Sequence, residues 1–135
     1  MGRTIGRSVP AVTGNLRHRL GVAGEQLAAE HLSRRGFRIV ERNYRTRWGE
    51  LDIVAYDGRT LAFCEVKSRR AGGSAGGPME AVGPLKQAQV RKMAGAWLIQ
   101  RRDRPRADII RFDAIGVTFD GAGKLVSLDH LEGAF

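Results

Sequence analysis

Glu50-Leu51-Asp52-Ile53-Val54-Ala55-Tyr56 and Thr60-Leu61-Ala62-Phe63-Cys64-Glu65-Val66-Lys67, joined across Asp57-Gly58, decide the fold of this 135-residue chain. Both runs are rich in the β-branched and aromatic residues that strands favour, and Asp-Gly between two such runs is a strong hairpin signal. Side chains alternate along a strand, so Asp52 shares a face with Glu50, and Glu65 with Lys67. The turn lies close to midway between Asp52 and Glu65. The hairpin therefore brings these two carboxylates near each other on adjacent strands.

Working outward, Phe37 to Tyr44 reads as a strand preceding the hairpin. Before it, Asn15 to Arg35 reads as a helix, with Asn15 as N-cap and Gly36 placed to end it. Val22, Glu25, Ala29 and Leu32 fall on one face of that helix at spacings of three and four, and Glu25 is the odd polar member. Residues 1 to 14 carry Gly2, Gly6, Pro10 and Gly14 without periodic apolar positions, and are expected to form a flexible basic arm. After the hairpin, the glycine-rich stretch Arg69 to Pro78 reads as a loop. Leu85 to Arg101 reads as a helix with Val90, Met93, Ala94, Trp97 and Leu98 as its inward stripe. Ile109 to Phe119 and Leu125 to Leu131 read as strands around a Gly121 to Gly123 turn. The order is αβββαββ. A helix of crossover length separates the third and fourth strands, which places them parallel, and tight turns make the other neighbours antiparallel. The expectation is one α/β domain over 15 to 135, a mixed β-sheet flanked by helices.

The composition, 42% hydrophobic and 27% charged, suits one globular core. Cys64 is the single cysteine, which excludes an intrachain disulfide and makes a structural zinc site improbable. No apolar stretch approaches a membrane span and no apolar run follows the first arginines, so the chain reads as cytoplasmic, with no membrane partner. The net charge is +9 and unevenly spread: residues 1 to 20 contribute +4, residues 21 to 48 +3 and residues 84 to 106 +6, whereas 49 to 83 and 107 to 135 are net acidic. Gathered positive charge points to a polyanion, most commonly nucleic acid.

Two neighbouring carboxylates repel, and each favours its protonated form unless a divalent cation or a lysine sits between them. Asp and Glu oxygens, completed by water and substrate phosphate, form the octahedral shell that Mg²⁺ prefers. Lys67 can point at the same spot as a donor to a bound water or a scissile phosphate. Glu25, presented from the first helix, could complete the shell. Singly, Glu65 with Lys67 is explained by a same-face ion pair, Asp52 by an arginine partner and Glu50 by its place at a strand start. Four polar groups converging from otherwise apolar elements argue for a phosphodiester-cleaving site.

The runs Gly49-Glu50-Leu51-Asp52-Ile53-Val54-Ala55 and Phe63-Cys64-Glu65-Val66-Lys67-Ser68-Arg69 resemble the YraN family of uncharacterised bacterial endonuclease-like proteins. They are also similar to the archaeal Holliday junction resolvases of the restriction-endonuclease-like, PD-(D/E)xK superfamily. Gly24-Glu25 with Ala28, Asn43-Tyr44-Arg45, Ala81-Val82 with Lys86, and Arg111-Phe112-Asp113 extend the match over residues 21 to 135. The resemblance implies Asp52, Glu65 and the Val66 carbonyl as ligands of Mg²⁺ or Mn²⁺, with Lys67 orienting the attacking water. It places Glu25 where the resolvases carry a helix acid, and gives Lys86 or Gln87 a supporting role. Leu51 stands where the eponymous proline would be, and Glu132-Gly133-Ala134-Phe135 departs from the family's usual ending. A homodimer is the assembly that junction-cutting relatives suggest.

His18, His31 and His130 look scattered, with no partner at ligand spacing. The glycines of 69 to 78 follow no phosphate-loop spacing. Cys64 faces away from Glu65 and reads as a core residue. The leading expectation is a metal-dependent DNA endonuclease, structure-selective in recombination or repair, with Arg45, Arg69, Lys86, Gln87 and Arg91 meeting the nucleic acid. The alternatives are a nucleic-acid-binding module with the same fold but no useful turnover, and an adaptor whose basic surface meets an acidic protein.

Overall fold

The computed structural model describes residues 16–72 and 83–135. The basic arm expected over 1 to 14, the Asn15 cap and the glycine-rich stretch from residue 73 on lie outside them. Helix α1 (Leu16–Arg34) is followed by β1 (Arg38–Thr46), β2 (Gly49–Tyr56), β3 (Thr60–Arg70), α2 (Pro84–Gln100), β4 (Ile109–Phe119) and β5 (Leu125–Leu131). The five strands form one mixed sheet in sequence order, with β3 parallel to β4 and all other neighbours antiparallel. The Asp57-Gly58 hairpin closes as its residue types demand. Gly58 takes a positive φ of 101°, and Asp57 Oδ1 accepts the Arg59 and Thr60 amides at 3.0 and 2.7 Å.

Alternation sends the strand side chains into two cores. Ile53, Ala55, Ala62, Cys64, Ile115 and Val117 pack under Ala28, Ala29 and Leu32 of α1. Leu61, Phe63 and Val54 pack under Val90, Met93, Ala94 and Trp97 of α2. Cys64 is buried in the α1-side core, and that burial pushes its thiol well above the ordinary range. Helix α2 is pinned to β1 by Glu41, whose carboxylate accepts Trp97 Nε1 at 2.7 Å and both Nε and Nη2 of Arg101.

Several sequence expectations need correction. Val22 is not on the buried face of α1: it is 55% exposed, and Gly24 takes the inward place. A Cβ at Gly24 would overlap Ser68 Oγ and lie 3.1 Å from Ser68 Cβ, so only glycine lets α1 approach β3 this closely. Helix α2 begins one residue early because Pro84, with φ already helical and no amide to lose, suits the first turn. Arg69 and Arg70 belong to β3 and not to a loop, since β4 supplies pairing partners as far as Phe119. The histidines are not all scattered: His31 Nε2 and His130 Nδ1 are 2.9 Å apart, and His130 Nε2 is 2.8 Å from Asp113 Oδ2. The chain end docks, with Ala134 N–H on Phe112 O and Phe135 stacked against Phe112. Among the described residues no helix is long and apolar enough to cross a membrane.

Gly24→Ala should destabilise the fold by about 1–3 kcal/mol in spite of alanine's better helix propensity. In a Ser68→Gly background the same change should cost much less. A thermal or urea double-mutant cycle that found the two substitutions additive would contradict this packing.

Candidate functional site

Strands β2 and β3 pair only from Ile53–Cys64 to Tyr56–Leu61. Beyond Ile53–Cys64 they fork, and Asp52 stands at the fork. Its Oδ2 accepts the Val66 amide at 2.8 Å, so a side-chain oxygen takes an N–H that the ladder no longer serves. Leu51 and Ile53, two residues apart, enter opposite cores, so β2 rolls over at Asp52. Across from it, between the pairs Arg42–Ile53 and Tyr44–Leu51, Asn43 adopts a left-handed φ of 55°. Asparagine is one of the few residues that tolerates this conformation.

That local distortion assembles acids. Asn43 Nδ2 donates to Glu25 Oε1 of α1 at 2.8 Å and to Glu50 Oε1 of β2 at 3.3 Å. Glu25, Glu50 and Asp52 each offer one carboxylate oxygen, and the three lie within 4.8 Å of one another. On the other arm of the fork, Glu65 Oε2 meets Lys86 Nζ at 3.1 Å, while its Oε1 is buried without a hydrogen-bond partner among the described residues. Hard oxygen donors at this spacing, with one buried oxygen unserved, suit a divalent cation such as Mg²⁺ or Mn²⁺.

Burial, then repulsion from Glu65, pushes the Asp52 carboxyl up to about 8 despite the Val66 hydrogen bond. Burial raises Glu65 as well, and Lys86 and the hydrogen-bonding contact with Asp52 oppose that rise. Without a cation the pair therefore holds a proton near neutrality.

The sequence-expected residues divide into groups. Glu25, Asp52 and Glu65 are electrically coupled at the fork, and Val66 supplies its amide there. Lys86, given only a supporting role by the resemblance, makes the ion pair with Glu65. Lys67 follows two residues along β3, exposed, with no ion pair among the described residues, and lines a cavity with Arg69. Arg45 pairs with Glu50 at 3.2 Å. The Gln87 amide closes the first turn of α2 on Gly83 O. Arg91 lies over the Phe112 and Phe135 rings, 5.1 and 5.5 Å from their centroids. Sequence reasoning leaves two members of the cluster out. Glu50 is explained there by its place at a strand start, though alternation already sets it on the face of Asp52. Asn43 carries no role in the sequence, and its one signal is an asparagine inside a strand, a type that favours irregular backbone.

Residues 24–117 match the model of the family described as "Uncharacterised protein family UPF0102". A UPF0102 protein of Anaeromyxobacter dehalogenans is 47% identical over 90% of this chain and 87% of its own length. One from Geobacter metallireducens is 44% identical over 86% of this chain and 91% of its own. One from Streptomyces griseus is 45% identical over 88% of this chain and 98% of its own.

A carboxyl raised on folding keeps its proton in the native state while the unfolded chain has lost it, so its contribution to stability falls as pH rises from about 4 towards 8. Asp52→Asn should accordingly stabilise the metal-free protein at pH 8, by up to about 5 kcal/mol for a rise of about four pKa units. The difference should vanish near pH 4. Urea titrations across that range that gave parallel curves for the two proteins would refute the raised carboxyl.

Proposed function

This chain belongs to the uncharacterised protein family UPF0102, and from its acid cluster we propose that it is a metal-dependent endonuclease, with a restriction-endonuclease-like core, acting on DNA in recombination or repair. The observation that carries this reading is the gathering of Glu25, Glu50 and Asp52 within 4.8 Å at a strand fork, beside the unserved oxygen of Glu65. Buried acids left short of partners are costly, and a site that keeps them has a use for a positive centre. The mixed sheet with α1 presenting Glu25 across the fork agrees with the resemblance to the resolvases.

Bound Mg²⁺ or Mn²⁺ would neutralise phosphoryl oxygens and make a coordinated water acidic enough to attack near neutral pH. Asp52, Glu65 and Glu25 would hold the ion, with Glu50 as a further ligand and the Val66 carbonyl as the resemblance implies. Lys86 keeps Glu65 closer to its ionised state, ready to bind. Lys67, with no ion pair among the described residues, is available to orient the water or meet the scissile phosphate. A second reading, a binding module without turnover, draws support from the cations beside the site that have no ion pair among the described residues, which would grip a phosphate backbone with or without chemistry.

The test is cleavage of labelled duplex, single-stranded, flap and four-way-junction DNA with Mg²⁺ or Mn²⁺. Cleavage should require the metal and fall at least about 10²-fold in folded Asp52→Ala and Glu65→Ala. Lys86→Ala should move the acidic limb of the pH–rate profile to higher pH, because removing the cation raises Glu65 further. Metal-independent binding that survives loss of Asp52, with no cutting under any metal, would favour the binding module.

A further inference from the structure

Past Cys64 the fork leaves one edge of β3 open. Strand β4 covers the opposite edge as far as Arg70, but among the described residues no strand covers this one. Successive amides of a strand point to opposite edges, and the Val66 N–H points into the fork, where Asp52 accepts it. The Ser68 and Arg70 amides share its parity and so face the same open edge. Ala71, of opposite parity, donates to Phe119 O of β4, in agreement with this alternation.

Alongside that edge lies a cavity of about 420 Å³, lined by Lys67, Ser68, Arg69 and Arg70 of β3 and by Leu16, Arg17 and Leu20 of α1. Among the described residues, four cations and no acid line it. None of the four is ion-paired among the described residues, whereas Lys86 and Arg45 at the acid cluster are both paired. Like charges kept together without partners mark a surface that expects an anion. Same-face residues on a strand are about 6.6 Å apart, so Glu65, Lys67 and Arg69 step along β3 at a spacing comparable to neighbouring phosphates of an extended strand. Leu16 and Leu20 give the cavity an apolar wall for a sugar or base.

We infer that the open edge of β3, from Lys67 to Arg70, with Arg17 of α1, binds the backbone of one nucleic-acid strand, seating the phosphates next to the scissile one. The inference rests on the nuclease reading for its direction, since it places the reacting phosphate at the fork and the flanking ones along β3. It specifies the substrate as a single strand threaded beside α1, such as the separated strand of a flap or junction.

Binding of a short labelled single-stranded oligodeoxynucleotide, without metal, tests it. In the wild type the Ser68 and Arg70 amide resonances should shift on titration. Arg69→Ala/Arg70→Ala should weaken binding roughly tenfold and lower the slope of log affinity against log salt by about 1 for each phosphate it no longer neutralises. Arg102→Ala/Arg104→Ala, in the separate basic cavity near Leu61, should leave both nearly unchanged. Unmoved amides, or an unchanged slope in the first variant with a fall in the second, would overturn the inference. Cleavage by Arg69→Ala/Arg70→Ala at wild-type KM would also overturn it while leaving the nuclease standing. Binding along the edge with no cleavage under any metal would retire the nuclease and uphold the strand-binding edge.

Discussion

The hydrogen bond from the Val66 amide to the Asp52 carboxylate is the contact on which the rest of the site depends. It occupies the point where β2 and β3 stop pairing, and so lets two strands separate without stranding a backbone donor. The candidate site hangs on that separation. The opening admits Glu25 from one helix and Lys86 from the other, and among the described residues it leaves the β3 edge beside the basic cavity without a paired strand. A continued ladder would have been the more stable sheet. The fork gives up those backbone bonds and places buried carboxylates in their stead, a local loss that the two packed cores must offset.

The electrostatics at the fork are graded. Glu25 and Glu50 share Asn43 as a donor, and Arg45 steadies Glu50 from outside, so these half-exposed acids are served. Asp52 and Glu65 are the buried pair, and Lys86 reaches only one oxygen of Glu65. Among the described residues one cation serves two largely enclosed acids, which leaves the site short of positive charge. The cations that could balance it stand further along β3, facing the open edge. Under the proposed reading this charge would meet a ligand that brings negative charge past the acids, which a phosphate backbone does and a free metal ion does not.

Much of this was legible in the sequence because it is local. The Asp57-Gly58 turn, the alternation around it and the Val90 to Trp97 stripe each depend on residues within one or two elements, and strand order and direction followed from turn lengths. Illegible features came from the third dimension. Asn43 meets Glu25 across a helix-strand contact, and the roll of β2 at Asp52 breaks the period-two pattern that alternation assumes. Lys86 reaches Glu65 from a helix that sequence could order but not rotate. His31 and His130 are 99 residues apart, and only the β4–β5 pairing against α1 brings them together. The need for glycine at position 24 follows only from Ser68 lying beneath it.

The contrast between a fully buried and a half-buried aspartate on this sheet, Asp113 and Asp52, separates structure from function more sharply than any single contact. Asp113 of β4 is fully buried, and burial alone would raise it. His130, Arg111 and the Gly133 amide all donate to it, and together they hold its carboxyl below the ordinary range. That acid is saturated, and its network ties α1, β4, β5 and the chain end into one block. Among the described residues Asp52 of β2 is met by the Val66 amide and by another acid, Glu65, and its carboxyl lies far above the ordinary range. The same fold shows that it can satisfy a buried carboxylate completely. Leaving Asp52 and Glu65 short is therefore not a limit of the scaffold but a feature of the site, and a positive centre is what the chemistry of two such oxygens lacks.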